Sequence, residues 1–156
     1  MKISAQEEYG LRCLVQLANL KDENTLTLPQ IAELEGLSQA NAGKLMWLLN
    51  KAGFVNATRG TKGGYSLARN ADEIYLNEVI KVLETDEIEA HCESYTGLKK
   101  RCVHKGDCGI RPVIVGIHEI VQNALSNITL AQLVGNETKV DERFQQIQGL
   151  HSSAKM

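Results

Sequence analysis

The sequence has no hydrophobic run long enough to span a membrane. Its longest apolar stretch, about residues 113–125, is broken by polar side chains and falls short of the roughly 18 apolar residues that a spanning helix needs. Glu7 and Glu8 stand where a secretory signal would place its apolar segment. We therefore expect a cytoplasmic protein whose cysteines are free, metal-binding or redox-active rather than cross-linked.

Proline, aromatic residues and catalytic motifs are scarce as well. The chain of 156 residues has only 2 prolines, with 43% hydrophobic and 23% charged residues, which is typical of one globular domain. Its four histidines are scattered, and no serine or cysteine lies in a recognisable nucleophile motif. These features argue against a disordered chain and predict that the protein is not an enzyme.

Acidic residues are missing from the middle of the chain, although the net charge is only −2. Residues 36–71 contain none, whereas residues 72–93 contain eight against a single lysine. The basic residues of the first stretch are Lys44, Lys51, Arg59, Lys62 and Arg69. Such a block is either a solvated face or a phosphate-binding surface, and the local fold decides between the two.

Helix caps divide the first half of the chain. Capping-box spacing begins at Ser4 and again at Thr27, and Ser38 can cap a third helix. The pattern predicts a helix after Ser4 and two more at about 28–34 and 39–52. The last two are joined by a tight turn containing a glycine, which is the geometry of a helix-turn-helix.

A glycine-rich hairpin is predicted next. Residues 54–58 and 64–68 have the character of short strands, and they flank the tip Arg59-Gly60-Thr61-Lys62-Gly63. Glycine lets such a tip approach a phosphate backbone closely, because it adopts positive φ and has no side chain. Helix pair and hairpin together predict a winged helix-turn-helix.

Two further helices are predicted, at 76–83 and at about 111–126. The second has more apolar residues than one small domain can bury, so a partner helix is its natural cover. The fold class is therefore mainly α with a small β wing: a winged helix-turn-helix domain plus a long dimerisation helix.

Three of the four cysteines lie close together, at Cys92, Cys102 and Cys108. No pair has the two-residue gap of a zinc knuckle or a thioredoxin-like motif. The count leaves open an iron-sulfur site, a zinc site, a disulfide switch or coincidence. The cations around them and the N-terminus of the following helix favour an anionic centre such as an iron-sulfur cluster.

Three cysteines leave a cluster one ligand short. The candidates for that ligand are His91, His104, Glu8, Glu35 and Cys13. Cys13 lies on an apolar face of the first helix and is better explained as a buried structural thiol.

Four segments together resemble one known family. They are the opening MKISAQEEYGLRCLVQLA, the hairpin RGTKGGYSL, the three-cysteine loop and the closing NITLAQLV. In this order they are similar to the iron-sulfur winged-helix transcriptional regulators, the family that includes IscR and NsrR, over about residues 1–136. The resemblance implies a bacterial cytoplasmic homodimer that binds pseudo-palindromic double-stranded DNA and carries one cluster per subunit.

The same resemblance implies the metal ligands. Cys92, Cys102 and Cys108 match the three family cysteines. The fourth ligand is in some members a histidine three residues after the third cysteine, and in others an acidic residue of the first helix from the other subunit. Arg111 occupies the histidine position and cannot ligate, whereas Glu8 matches the acidic alternative, with a solvated carboxylate as the other interpretation. A 2Fe-2S cluster is favoured over 4Fe-4S, although the first cysteine gap is longer than is common in the family.

Residues at the start of the second helix of a helix-turn-helix reach base edges in the major groove. Here they are Ser38, Gln39, Ala40 and Asn41. Gln39 and Asn41 can each pair with adenine, and Ala40 is small enough to contact a thymine methyl. Phosphate contacts are assigned to Lys44, Thr58 and Lys62. Arg59 is assigned to the minor groove.

The predicted function is that of a dimeric transcriptional regulator which senses redox state, nitric oxide or iron-sulfur status through its cluster. The alternative keeps the DNA-binding fold and uses the cysteines as a thiol/disulfide switch or zinc site. A third interpretation is an electron-transfer protein, but that function would leave the predicted wing without a role. We expect four parts: 1–84 for DNA binding, 85–109 for the cysteine loop, 110–140 for the dimerisation and closing helices, and 141–156 as a polar tail that frays after about Val140.

Overall fold

The computed structural model describes residues 3–20, 25–60, 63–84, 102–104 and 106–153. These residues form one two-stranded antiparallel sheet and six α-helices. The helices are α1 (Ala5–Ala18), α2 (Leu28–Glu35), α3 (Gln39–Lys51), α4 (Leu76–Leu83), α5 (Arg111–Leu125) and α6 (Glu137–Ser153). The strands are β1 (Val55–Thr58) and β2 (Gly64–Leu67), and short 3-10 helices occupy Ala71–Glu73 and Leu130–Leu133. The predicted mainly α fold with a β wing is confirmed.

The predicted caps at the helix starts are present. Ser4 Oγ accepts a hydrogen bond from Glu7 N at 3.2 Å, and the Glu7 carboxylate accepts one from Ser4 N at 2.6 Å. The backbone N of Thr27 donates to the side-chain oxygen of Gln30 at 2.8 Å. Because these bonds satisfy backbone donors that have no partner inside the helix, they fix where α1 and α2 begin.

Helices α1 to α4 enclose one hydrophobic core. Helix α1 contacts α2, α3 and α4, and α3 contacts α4. The fully buried side chains include Leu14, Ile31, Met46, Leu49, Val79 and Leu83. At roughly 1.5–3 kcal/mol for each buried aliphatic side chain, this core dominates the stability of the domain.

The hairpin that we call the wing comprises β1, β2 and the tip between them. Its register pairs Val55 with Leu67 and Thr58 with Gly64. On the edge of β2 that faces away from β1, Tyr65 and Leu26 exchange backbone hydrogen bonds at 3.0 and 2.8 Å. The wing is therefore held on its second edge by the residues that precede α2.

The closing segment returns to this core. Leu76 N donates to Ile128 O at 2.9 Å and Leu130 N donates to Ile74 O at 2.8 Å, which forms a bridge between two distant parts of the chain. Leu130 is fully buried. The closing helix expected within residues 110–140 is here the 3-10 helix Leu130–Leu133, and Thr129 N donates a hydrogen bond to the Gln132 side chain at 2.8 Å where it begins.

The polar end of the chain, which we expected to fray after about Val140, is the helix α6 up to Ser153 in the structure. Asn136 Oδ1 accepts a hydrogen bond from Lys139 N at 3.1 Å and starts the helix. Arg143 Nη1 donates to the carbonyl oxygens of Val134 and Gln132 at 2.7 and 3.3 Å, which ties α6 to the 3-10 helix. Among the described residues, no helix has the length and hydrophobicity to cross a lipid bilayer.

Candidate nucleic-acid interface and cysteine site

The turn between α2 and α3 orients the start of α3. Gly36 has φ +64°, a conformation that glycine adopts without strain, and Leu37 N donates to Ala32 O at 2.8 Å to close the turn. Ser38 Oγ then accepts a hydrogen bond from Asn41 N at 3.2 Å as the N-cap of α3. The predicted cap at Ser38 is therefore present, and the hydroxyl that was also assigned to base edges is occupied by it.

The other base-reading candidates lie on the surface. Gln39, Ala40 and Asn41 are all exposed. The opposite face of α3 is buried in the core through Ala42, Leu45, Met46 and Leu49. Anchoring on one face holds the first turn of α3 outward, where it can meet a groove of DNA.

The centre of the exposed face of α3 is a row that we call the outward stripe: Ala40, Lys44, Trp47 and Lys51. Spacings of three and four place these residues one above another on the helix. Trp47 is 58% exposed, and Lys51 Nζ lies 5.1 Å from the centre of its ring. Trp47 was missed from the sequence because helical spacing was used to find the core face of α3 and not the face opposite to it. Its position opposite the apolar face is the signal that could have identified it.

The wing tip depends on glycine. Gly60 has φ +111°, and Gly63 N donates to Gly60 O at 2.8 Å. A Cβ at position 63 would lie 2.5 Å from Thr58 O, so no larger residue fits there without a backbone shift. The tip candidates Thr58 and Arg59 are exposed. Lys62, the remaining tip candidate, lies outside the described residues.

The basic block divides into two groups. Arg69 forms an ion pair with Glu78 and stacks over the Phe54 ring at 5.4 Å, so its charge is already compensated. In contrast, Lys44 and Arg59 are exposed and form no ion pair with any residue that the structure describes. An uncompensated pair of cations on α3 and the wing suits a polyanion that touches both elements.

The long helix α5 has no buried residue. Its exposed large apolar side chains, with the residue just before it, are Ile110, Val113, Ile114, Ile117 and Ile120. Scattered apolar residues on a surface are normal, but a contiguous row marks an interaction site.

Two of the predicted cluster cysteines are described. Cys102 and Cys108 are free and half-buried in the residues that precede α5. Cys92 lies outside the described residues. Within the described ranges, no three histidine, cysteine or carboxylate side chains come together as a metal site. Glu8, Cys102 and Cys108 of the same subunit therefore do not form one there.

Glu8 lies on the exposed side of α1. Its Oε1 forms an ion pair with Arg12 Nη2 at 2.7 Å, with half of the carboxylate side chain open to solvent (51% exposed). Arg12 also sits over the ring of Tyr9, 5.6 Å from its centre. A partner that binds Glu8 must therefore compete with the Arg12 guanidinium.

Cys13 faces the core and is fully buried. Burial, and to a smaller extent the negative charge of Glu35, raises the pKa of Cys13 to about 12. Glu35 itself accepts a hydrogen bond from Gln16 Nε2 at 2.7 Å. The predicted burial of Cys13 is confirmed, and a thiol that keeps its proton is a poor metal ligand.

Comparison with known proteins gives consistent matches. The family model described as "Rrf2: Iron-dependent Transcriptional regulator" matches residues 3–136. The protein rrf2 of Nitratidesulfovibrio vulgaris is 30% identical over 134 residues, which cover 86% of this chain and 87% of that protein.

Two solved structures are similar over most of their length. IscR of T. potens has a TM-score of 0.64 and 31% identity, with 84% of each chain covered. CymR, the global cysteine regulator of B. subtilis, has a TM-score of 0.63 and 29% identity, with 86% of this chain and 99% of that chain covered.

Proposed function

The chain belongs to the Rrf2 family of transcriptional regulators, and from that membership we propose that it is a homodimer that couples an iron-sulfur cluster to the recognition of a pseudo-palindromic operator. Members of the family regulate transcription and are not enzymes. DNA binding by a winged helix-turn-helix follows from the family. The cluster, the operator symmetry and the residue assignments are the finer part of the proposal.

The observation that carries the DNA-binding assignment is the exposed first turn of α3 beside two uncompensated cations. Gln39 and Asn41 present amide side chains that can each make a bidentate pair with adenine, and Ala40 offers a methyl to thymine. Lys44 is exposed one turn further along α3, where its positive charge can contact a phosphate.

The wing supplies the second set of contacts. Thr58 ends β1 and Arg59 follows it into the tip, both on the surface. Arg59 suits the narrow, electronegative minor groove, and Thr58 and Lys62 suit phosphates. Because the tip turn needs Gly60 and Gly63, the backbone at this point is shaped for a close approach to DNA.

For the cluster, the chemistry of the donors fits. Cys102 and Cys108 are free thiols that are not buried in the core, and thiolates are the ligands that iron-sulfur clusters take. We assign them as ligands together with Cys92 and with Glu8 of the partner subunit. A 2Fe-2S cluster would supply a coloured, redox-active centre. Glu8 is on the surface, so a second subunit can reach it once Arg12 is displaced.

The apolar surface of α5 supports the proposed dimer. Its row of exposed apolar residues is suited to a second copy of the same helix, which would bury each row against its equivalent. Helix α1, which carries Glu8, packs on both α2 and α3. Because α1 packs directly on α3, a displacement of Glu8 by the other subunit's cluster would shift the position of the base-reading helix.

The alternative uses the same cysteines without iron, as a thiol/disulfide switch or a zinc site. The observation in its favour is the similarity to CymR, of which an oxidised form from Staphylococcus aureus has been solved. In this version the thiols of Cys102 and Cys108 would be oxidised to disulfides or would bind zinc.

Anaerobic purification of the full-length protein separates the two. An iron-sulfur protein is brown, contains iron and sulfide, and loses both in Cys102→Ala, with a change in affinity for its operator. Cys13→Ala is the matched control, because it also removes one cysteine but from the core, and it should keep the colour.

A colourless anaerobic protein without iron would overturn the cluster and leave DNA binding in place. Operator affinity that is equal with and without the cluster would overturn sensing.

A further inference from the structure

We infer that Trp47 and Lys51 form one composite contact with the sugar-phosphate backbone at the edge of the major groove. This inference rests on the DNA-binding part of the proposed function. It assigns a partner, double-stranded DNA, to an exposed aromatic side chain that the rest of the domain leaves uncovered.

The first argument is the position of Trp47 on α3. Trp47 belongs to the outward stripe that begins at Ala40, whose neighbours are the base-reading candidates. The seven-residue separation of Ala40 and Trp47 corresponds to about 10 Å along a helix. The major groove is about 12 Å wide. When the start of α3 contacts base edges, Trp47 therefore reaches the groove edge, where the sugar-phosphate backbone runs.

The second argument is the chemistry of the pair. The indole ring offers an apolar face to a deoxyribose, and its N–H is a donor for a phosphate oxygen. The ammonium of Lys51 lies 5.1 Å from the ring centre, where the π electrons attract it. Both groups thus approach the same point of a phosphate backbone together.

The charge of the stretch that contains Trp47 also favours a negatively charged partner. Residues 36–71 contain no acidic residue, so nothing in this stretch repels a phosphate from the outward stripe. Trp47 is more than half exposed, and it does not belong to the core cluster or to the apolar side chains packed on it. An exposed indole in a basic surface is well suited to a partner that is both negatively charged and partly apolar, as a DNA backbone is.

Fluorescence gives a direct test, because Trp47 is the only tryptophan in the chain. Acrylamide quenching of the full-length protein is measured alone and with a mixed-sequence DNA duplex at low salt. Binding is followed separately by the anisotropy of dye-labelled duplex. We expect strong quenching in the free protein and a quenching constant at least about twofold lower on DNA.

The outcomes separate this inference from the proposed function. If anisotropy shows no binding, DNA recognition itself fails. If DNA binds while quenching of Trp47 stays the same, the contact is wrong and the function stands. If Trp47 is already shielded in the free protein, a second copy covers it, and the contact is equally wrong.

Variants then distinguish backbone from base contact. Trp47→Ala should weaken binding by about tenfold, and equally for a selected operator and for mixed-sequence DNA, because every nucleotide has the same backbone. A loss confined to the operator would place the indole on a base and overturn the assignment. Phe144→Ala, at an exposed aromatic residue of α6, is the control that should leave affinity unchanged.

Lys51→Ala should lower the slope of log affinity against log salt by about 0.9, the value for one phosphate contact. Lys81→Ala is its control, since Lys81 is an exposed lysine of α4, which packs against α3 from the side of the core. A slope that does not change in Lys51→Ala would remove the ammonium from the contact.

Discussion

Leu83 of α4 lies directly against Gly10 of α1. A Cβ at position 10 would lie 2.4 Å from Leu83 Cδ1, well inside any normal contact distance. Gln6 Nε2 reinforces the junction by donating to Leu83 O at 2.9 Å. The end of α4 is therefore fixed against the helix that carries Glu8, at a point where only glycine leaves enough room.

Gly10→Ala should destabilise the protein. The new methyl must push the fully buried Leu83 aside, and overpacking of this kind costs about 1–3 kcal/mol of the free energy of unfolding, against which alanine in a helix regains up to about 1 kcal/mol. Urea unfolding measures it. Gly43→Ala is the control, because its Cβ would meet Leu28 Cδ2 at an ordinary 3.5 Å, and alanine in a helix is more stable by up to about 1 kcal/mol. Equal effects of the two substitutions would contradict the close packing at Gly10.

Local signals predicted the helices, whereas the contacts between them could not be read from the sequence. The start of α2 agrees because its capping box acts within a few residues, and its end agrees to one residue because Gly36 stops the helix. The contact of Gly10 with Leu83 joins parts of the chain that are far apart in sequence, which no local pattern encodes. Helix α6 was missed because its residues are mostly polar and give little periodicity.

The candidate site was predicted in the same uneven way. The first turn of α3 and the tip of the wing follow from cap, turn and glycine positions, and the structure exposes that turn together with the tip residues Arg59 and Gly60. Trp47 was overlooked because helical spacing was used to find the core and not the opposite face. The fourth ligand is different in kind: its assignment to Glu8 depends on a second subunit, which the sequence of one chain does not position.

The stability of the protein should fall at alkaline pH because of Cys13. The pKa of this thiol is about 12 in the folded protein against an ordinary value of 9.0, so the unfolded chain releases the proton first and rising pH favours unfolding. Between roughly pH 8 and pH 10, titration of Cys13 lowers the free energy of unfolding by about 1.4 kcal/mol. Urea unfolding at both pH values should show this loss in the wild type beyond that of Cys13→Ala. Parallel losses in both proteins would mean that Cys13 does not titrate as described.

Ile117→Glu should turn the proposed dimer into a monomer. Ile117 is half exposed at the middle of the apolar row of α5, and a carboxylate there cannot be buried against a second helix without a large desolvation cost. Analytical ultracentrifugation measures the mass. Glu119→Lys, at an exposed position on another side of α5, is the control and should remain dimeric. A dimer that persists in Ile117→Glu would place the subunit interface elsewhere.

Arg59→Ala should reduce the salt dependence of DNA binding. Arg59 is exposed and forms no ion pair with the described residues, so its charge is available to DNA. Loss of one such contact lowers the slope of log affinity against log salt by about 0.9. Anisotropy titrations over a salt series measure it. Arg69→Ala is a useful contrast, because Arg69 is already paired with Glu78 and should change the slope less. An unchanged slope in Arg59→Ala would remove Arg59 from the interface.

Asn41→Ala should lower specificity without harming the fold. Only the backbone N of Asn41 takes part in the Ser38 cap, so alanine keeps the 3.2 Å hydrogen bond that starts α3. The lost amide removes about 1–3 kcal/mol of discrimination at one base pair, which binding to operators with single substitutions measures.

Ser38→Ala is the informative contrast to Asn41→Ala. It removes the cap itself and should lower the free energy of unfolding by about 1 kcal/mol, whatever DNA is present. Because the side chain of Asn41 has no hydrogen-bond partner among the described residues, a loss of stability in Asn41→Ala would mean that its amide serves the fold. A uniform loss of affinity on all sequences would instead make Asn41 a phosphate contact, and base reading would then fall to Gln39.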